Sequence, residues 1–248
     1  MSRGLFVTGT DTGVGKTVVA AVLARLLRNN GINVGVMKPV TSGCREVDGR
    51  LVSGDAGLLC RAAGSAYSDD VAPYCLREAL APAEAAVTEG LRIDFPHIRA
   101  AYERLSASYE YVIVEGAGGL MVPLAGGMLI ADLVRELELP LLVVARPGLG
   151  TINHTVLTCF AAKQLGLQVA GVIINGMPAD PDRAEQSAPH QIGSLCGAPV
   201  LGIWPQRNDS DEMEMVDGLA SWLEGQPETA IVLRELGLFL QLTSQTLT

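Results

Sequence analysis

The chain has 248 residues with 18 basic and 27 acidic side chains, a formal net charge of −9, and a hydrophobic share of 48%. That much apolar material supports one large core and excludes general disorder, while the acidic balance excludes a nucleic-acid coat or a membrane-surface binder, both of which need a basic field. Nearly all the positive charge is arginine: Lys16, Lys38 and Lys163 are the three lysines, so a lysine that remains points to a need for a compact ammonium.

Short apolar runs alternate with longer amphipathic segments, the pattern of β-α-β units around a parallel sheet. The first run, 3–8, leads into a glycine-rich turn, and the spacing of Val19, Val22, Leu23, Leu26 and Leu27 predicts a helix over 16–29 that stops at Gly31. A strand over 32–37 ends at Lys38. Segments 39–53 and 66–93 read as irregular, with a helix between them at 54–63 and some helix around 82–89. Next come a helix over 95–107, with Asp94 as its cap and Pro96 in its first turn, and a strand over 110–115. Helices over 130–137, 153–165 and 183–196 then alternate with strands over 140–145, 168–174 and 199–204. The stretch 212–243 reads as two helices. The expected fold class is α/β: one doubly wound, mostly parallel sheet with helices on both faces. The expected domain is 1–225, with a helical extension, 226–248, packed on it.

The five cysteines form no CxxC, and His97, His154 and His190 lie apart from them, so free thiols are expected and not a zinc site or a disulfide frame. Apolar runs such as 139–145 are too short to cross a bilayer, and the first strand follows no secretory apolar stretch. The expectation is a soluble, cytoplasmic protein.

Gly9-Thr10-Asp11-Thr12-Gly13-Val14-Gly15-Lys16-Thr17 runs from a strand directly into a helix, the context in which such a loop cradles phosphates. Its backbone N–H groups and the helix dipole bind an anion, Lys16 reaches the β- and γ-phosphates, and the Thr17 hydroxyl takes a Mg²⁺ position. The first glycine falls one residue earlier than in the usual spacing, which puts Thr10, Asp11 and Thr12 in the loop and lets Thr12 face the γ-phosphate. Asp11 stands where partition and division-site ATPases carry a second lysine.

Lys38, at the carboxyl end of the second strand, falls beside this loop in an open parallel sheet, where a cation stabilises charge in phosphoryl transfer. Glu115 ends its strand as a metal-holding acid would, followed by Gly116-Ala117-Gly118-Gly119 with backbone N–H groups open to a substrate. Asp55 is either a second metal ligand or a helix cap. Gly150-Thr151-Ile152-Asn153 opens a helix suited to a carboxylate. Asn175 is placed to read a base edge, and the absence of a following Lys-x-Asp favours ATP over GTP.

These pieces closely resemble the dethiobiotin synthetase family: Thr8 to Thr17, Lys38-Pro39-Val40 with Ser42-Gly43, Val114 to Gly119, and Leu149-Gly150 with Ile152-Asn153-His154, over about residues 3–205. The resemblance implies a P-loop NTPase-like fold and ATP-dependent closure of 7,8-diaminononanoate and CO₂ (or bicarbonate) to a cyclic urea, with no nucleic-acid or membrane partner. It implies that Lys16 and Lys38 hold the γ-phosphate and a carbamate, and that Thr17, Asp55 and Glu115 bind Mg²⁺. Thr12 and Ser42 contact the carbamate end and Gly118 the diamine. Gly13, Val14, Gly15, Val18, Gly116, Asn175, Pro205 and Gln206 complete the ATP site. Residues 150–153 of a partner subunit take the substrate carboxylate, which implies a homodimer with composite sites. Ile203-Trp204 is bulkier than the family pattern before Pro205, and the chain beyond about 225 exceeds it. The alternatives are a partition-type ATPase switch and another ATP-dependent amidoligase of the same fold.

Overall fold

The computed structural model describes residues 3–237. Its first third contains β1 (Arg3–Gly9), α1 (Lys16–Asn29), β2 (Val34–Met37), β3 (Val40–Thr41), β4 (Arg45–Val47), β5 (Arg50–Val52), α2 (Gly54–Ala63) and β6 (Tyr74–Cys75). The middle adds α3 (Pro82–Thr88), α4 (Phe95–Ser108), β7 (Tyr111–Gly119), β8 (Pro123–Ala125), β9 (Met128–Leu129), α5 (Ile130–Leu137) and β10 (Leu141–Ala145). The last third holds α6 (Thr151–Gln164), β11 (Val169–Met177), α7 (Arg183–Leu195), β12 (Val200–Pro205), α8 (Glu212–Glu224) and α9 (Thr229–Glu235).

Six strands form one sheet in the order β12-β11-β10-β1-β7-β2, and every neighbouring pair is parallel. From β1 the chain first winds outward to β2, returns through β7, and then runs the other way through β10, β11 and β12. Right-handed crossovers in both directions put helices on both faces, as the sequence predicts. The strand centres are apolar for that reason: Leu5, Phe6 and Val7 of β1 and all of β10 are fully buried. The order reverses at β1, so the crevice at its carboxyl end is the place for a ligand.

The structure corrects several details. Segments 39–53 and 66–93 are not wholly irregular: β3 pairs with β6, and β4 with β5 across Asp48-Gly49, whose positive φ values of 51° and 78° make a two-residue hairpin turn. β7 continues four residues past Glu115, because a bulge after Val7 lets Gly119 pair with Gly9; the glycine run is strand and not an open loop. α6 begins at Thr151, two residues early. Asp94 stands at the N-terminal cap of α4 with Pro96 in the first turn, as expected, although its side chain makes no capping hydrogen bond. Ser53 caps α2 instead of Asp55, its Oγ accepting the Ala56 N–H at 3.1 Å.

In the extension, Val232, Leu233 and Leu236 are buried, and the Tyr111 hydroxyl donates to the Leu236 carbonyl at 3.1 Å. The rest of the two-helix reading, 238–243, and the end of the extension, to 248, lie outside the described residues.

Candidate functional site

The loop after β1 turns on two left-handed glycines, Gly13 and Gly15, at φ 78° and 88°. A side chain at Gly15 would meet Asn175 Nδ2 at 2.1 Å, so only glycine lets the end of β11 approach the loop this closely. Asn175 Nδ2 donates to the Val14 carbonyl at 3.2 Å, which ties the expected base-reading amide to the loop backbone. Gln206 N–H donates to Met177 O at 2.7 Å, anchoring Pro205 and Gln206 beside the same strand end. Trp204 is fully buried while Ile203 is exposed, so the bulk of this pair splits between the core and the sheet edge. Val18 lies half-buried in the first turn of α1.

Five of the expected residues form one connected cluster. Thr17 Oγ1 donates to Glu115 Oε1 at 2.8 Å. Lys38 Nζ lies 2.6 Å from the same oxygen, 2.8 Å from Asp55 Oδ2 and 3.5 Å from the Gly116 carbonyl. Lys16 Nζ donates to the Asp11 carbonyl at 3.1 Å. Lys16, Lys38 and Glu115 are 6%, 4% and 0% exposed, whereas the Asp55 carboxylate opens to solvent.

Burial controls the charges of both lysines. It drives Lys16 below the usual lysine range, with Lys38 adding repulsion and Glu115 offsetting only part. Burial acts on Lys38 in the same direction, but Glu115 and Asp55 outweigh it and hold that ammonium above its usual range. The result is a charged, dehydrated cation between two acids.

Several buried polar atoms have no hydrogen-bond partner among the described residues: Glu115 Oε2, Ser42 Oγ, Thr8 Oγ1 and Thr10 Oγ1. Such atoms are costly unless something else satisfies them. Glu115 Oε2, the Thr17 hydroxyl and the Asp55 carboxylate are hard oxygen donors, and that chemistry suits Mg²⁺. Thr10, one of the side chains that the displaced loop spacing brings into the loop, also lines a cavity beside it.

Thr12 Oγ1 lies 3.7 Å from where a Gly118 side chain would start, so the two expected substrate contacts adjoin. Beside them a cavity of about 360 Å³ is lined by Thr10, Thr12, Met121, Val122, Leu157 and Thr158 among others. Its α6 wall has no counterpart in the sequence motifs. Gly150 starts α6 at φ 91°, followed by the buried Thr151; Ile152 and Asn153 complete the first turn. No contact joins residues 150–153 or Ser42 directly to Lys16 among the described interactions.

A family model described as an AAA domain matches residues 3–214. The ATP-dependent dethiobiotin synthetase BioD of Bacillus licheniformis is 42% identical over 86% of this chain and 90% of its own length. That of Bacillus subtilis is 43% identical over 82% and 87%, and that of Methanococcus vannielii 48% identical over 69% and 78%. Among solved structures, a ParA family ATPase from Chlorobium tepidum has a TM-score of 0.56 at 18% identity, covering 96% of this chain and 100% of its own. The septum site-determining protein MinD of Pyrococcus horikoshii has a TM-score of 0.55 at 18% identity, covering 95% and 94%. The two structures share the fold; identity over most of both chains goes further, and the chain belongs to the dethiobiotin synthetase family, within the family described as an AAA domain.

Proposed function

We propose that the protein is a C–N bond-forming ligase that closes 7,8-diaminononanoate and CO₂ to dethiobiotin at the expense of ATP. The supporting observation is Lys38, a charged lysine buried between Glu115 and Asp55 and close enough to Lys16 for the two cations to repel. One amine takes up CO₂ as a carbamate. A carbamate oxygen attacks the γ-phosphorus and the bond to ADP breaks, giving a carbamic–phosphoric anhydride. The second amine attacks the carbamoyl carbon, phosphate leaves, and the urea ring closes with loss of the amine proton.

Both reactants of the first transfer are anions, so a chain of net charge −9 must concentrate positive charge locally. Lys16, Lys38 and the N–H groups of Gly13 to Thr17 supply it, and no histidine base is needed because the carbamate is already ionised. Thr17, Asp55 and Glu115 would hold Mg²⁺, which when bound screens the phosphate oxygens and stabilises ADP as a leaving group. Thr12, Ser42 and Gly118 orient the carbamate end, and Asn175, Pro205 and Gln206 border the base.

The active species is a homodimer in this reading. α6 carries Leu157 and Phe160 exposed at 57% and 58%, Leu149 just before it is exposed at 86%, and Met121 is exposed on a neighbouring turn. A second copy covering this face would bring residues 150–153 to the neighbouring site. A cytoplasmic location fits the free thiols of all five cysteines. Among the described residues no helix is long and apolar enough to cross a membrane.

The test is phosphate release from ATP with labelled bicarbonate. Release is expected only with diamine and bicarbonate together, with label entering a cyclic urea. Turnover that persists unchanged when either is omitted rules the reading out.

A further inference from the structure

The pairing of β3 with β6 brings two cysteines close together. Thr41 pairs with Cys75, Leu76 N–H donates to Thr41 O at 2.8 Å, and Cys44 N–H donates to Leu76 O at 2.8 Å. The Cys44 thiol, just beyond that pair, donates to the Thr41 carbonyl at 3.4 Å. Cys75 Sγ lies 3.7 Å from the Tyr67 hydroxyl. The Tyr67 oxygen accepts the Ser53 N–H at 3.1 Å, which leaves its own proton to donate to the sulfur. Cys75 is half-buried and Cys44 buried.

The two thiols are neighbours, although the Cys44 proton is directed at the Thr41 carbonyl. The Cys44 thiol beside it, and then the Tyr67 hydroxyl, outweigh burial and hold Cys75 at about 6, while the same proximity, with burial, pushes Cys44 up. Cys159 and Cys196 also influence one another, but burial pushes both up, Cys159 to about 12. Of the two pairs, only the first holds a thiol whose surroundings favour the thiolate.

We infer that Cys75 and Cys44 form a hydroperoxide-sensitive dithiol, with Cys75 attacking and Cys44 resolving, whose closure displaces Ser42 and slows turnover. The Cys75 thiolate attacks a peroxide oxygen; the O–O bond breaks, leaving a sulfenic acid and hydroxide, which takes a proton from the medium. Cys44 sulfur then attacks the sulfenyl sulfur, the S–S bond forms, and water leaves with the Cys44 proton. Two thiols lose two electrons in all and hydrogen peroxide becomes two waters. Drawing the sulfurs to the ~2.05 Å of a disulfide pulls the loop toward β6. Ser42 is two residues from Cys44, and a shift of about 1 Å at a substrate contact is enough to slow a reaction strongly. The effect on turnover rests on the proposed role of Ser42; the oxidation itself does not.

The experiment treats the reduced full chain with one equivalent of hydrogen peroxide at pH 7, maps disulfides by peptide mass, and measures turnover before and after dithiothreitol. A Cys44–Cys75 bridge and a loss of turnover of about tenfold or more, reversed by the reductant, are expected. In the Cys44→Ser variant, Cys75 should stop at a sulfenic acid that dimedone captures. Iodoacetamide should label Cys75 first among the five thiols, its rate rising through about pH 6 as the thiolate forms. A bridge at Cys159–Cys196, no bridge, or a Cys75 rate rising only near the ordinary thiol range overturns the site. A Cys44–Cys75 bridge with unchanged turnover overturns the coupling. Mapping needs no activity, so failure of the synthetase reading would be seen separately, in the untreated protein.

Discussion

At the scale of single residues, Lys38 combines stability and chemistry. Glu115 is fully buried, and Lys38 lies against one of its oxygens at 2.6 Å. Removing the cation leaves a buried carboxylate poorly compensated, which typically costs about 3–5 kcal/mol. Lys38→Met should therefore lower stability in urea unfolding by an amount of that order, with Lys16 nearby softening the loss. It should also cut turnover by about 10²–10³-fold, as loss of a preorganised charge does, while nucleotide binding by calorimetry stays close to wild type. Adding Glu115→Gln to Lys38→Met removes the orphaned charge and should recover most of the stability and none of the turnover. Full turnover in Lys38→Met would remove the lysine from the chemistry. The sequence points to this residue through lysine scarcity and its place after a strand. Its two acidic partners are not legible that way, because Asp55 and Glu115 come from separate segments of the chain.

At the scale of elements, the cap of α2 links two parts of the site. Ser53 Oγ accepts the Ala56 N–H and bonds the buried Thr41 hydroxyl at 2.8 Å, so the helix start that carries Asp55 is pinned to the strand that precedes Ser42. Ser53→Ala loses a cap and strands the Thr41 hydroxyl, for a cost of about 1–3 kcal/mol in denaturant unfolding. Ser53→Ala with Thr41→Val should be less destabilised than the sum of the two single changes, since neither polar group is then left unpaired. Strict additivity would show that the hydroxyl pair carries no coupling. The long elements are readable in the sequence because their apolar spacing is determined by burial on the sheet. The short ones in 39–53 are not, because runs of two or three residues carry too little periodicity. Asp48-Gly49 is the one local signal there, a dipeptide suited to a tight hairpin turn.

At the scale of the molecule, the exposed apolar face of α6 distinguishes a self-contained site from a shared one. Phe160→Asp should halve the mass in size-exclusion chromatography and abolish turnover, because it charges the proposed interface. Mixing Lys16→Ala with Asn153→Ala protein should restore up to about one quarter of wild-type turnover: half of the dimers are mixed, and each mixed dimer holds one intact composite site. No recovery after verified subunit exchange would mean that each chain completes its own site.

Composition alone gives the scarcity of lysine, and local order along the chain is sufficient for the β-α-β rhythm and the glycine-rich loop, since each depends on residues near one another in sequence. What the tertiary structure alone decides is adjacency. β7 inserts between β1 and β2, although it follows β2 by more than seventy residues, and this places Glu115 between Thr17 and Lys38. Strand order is determined by crossovers and packing over the whole sheet, which no local pattern records. The same holds for Cys44 and Cys75: scattered thiols in the chain, they become a facing pair only once β3 lies beside β6.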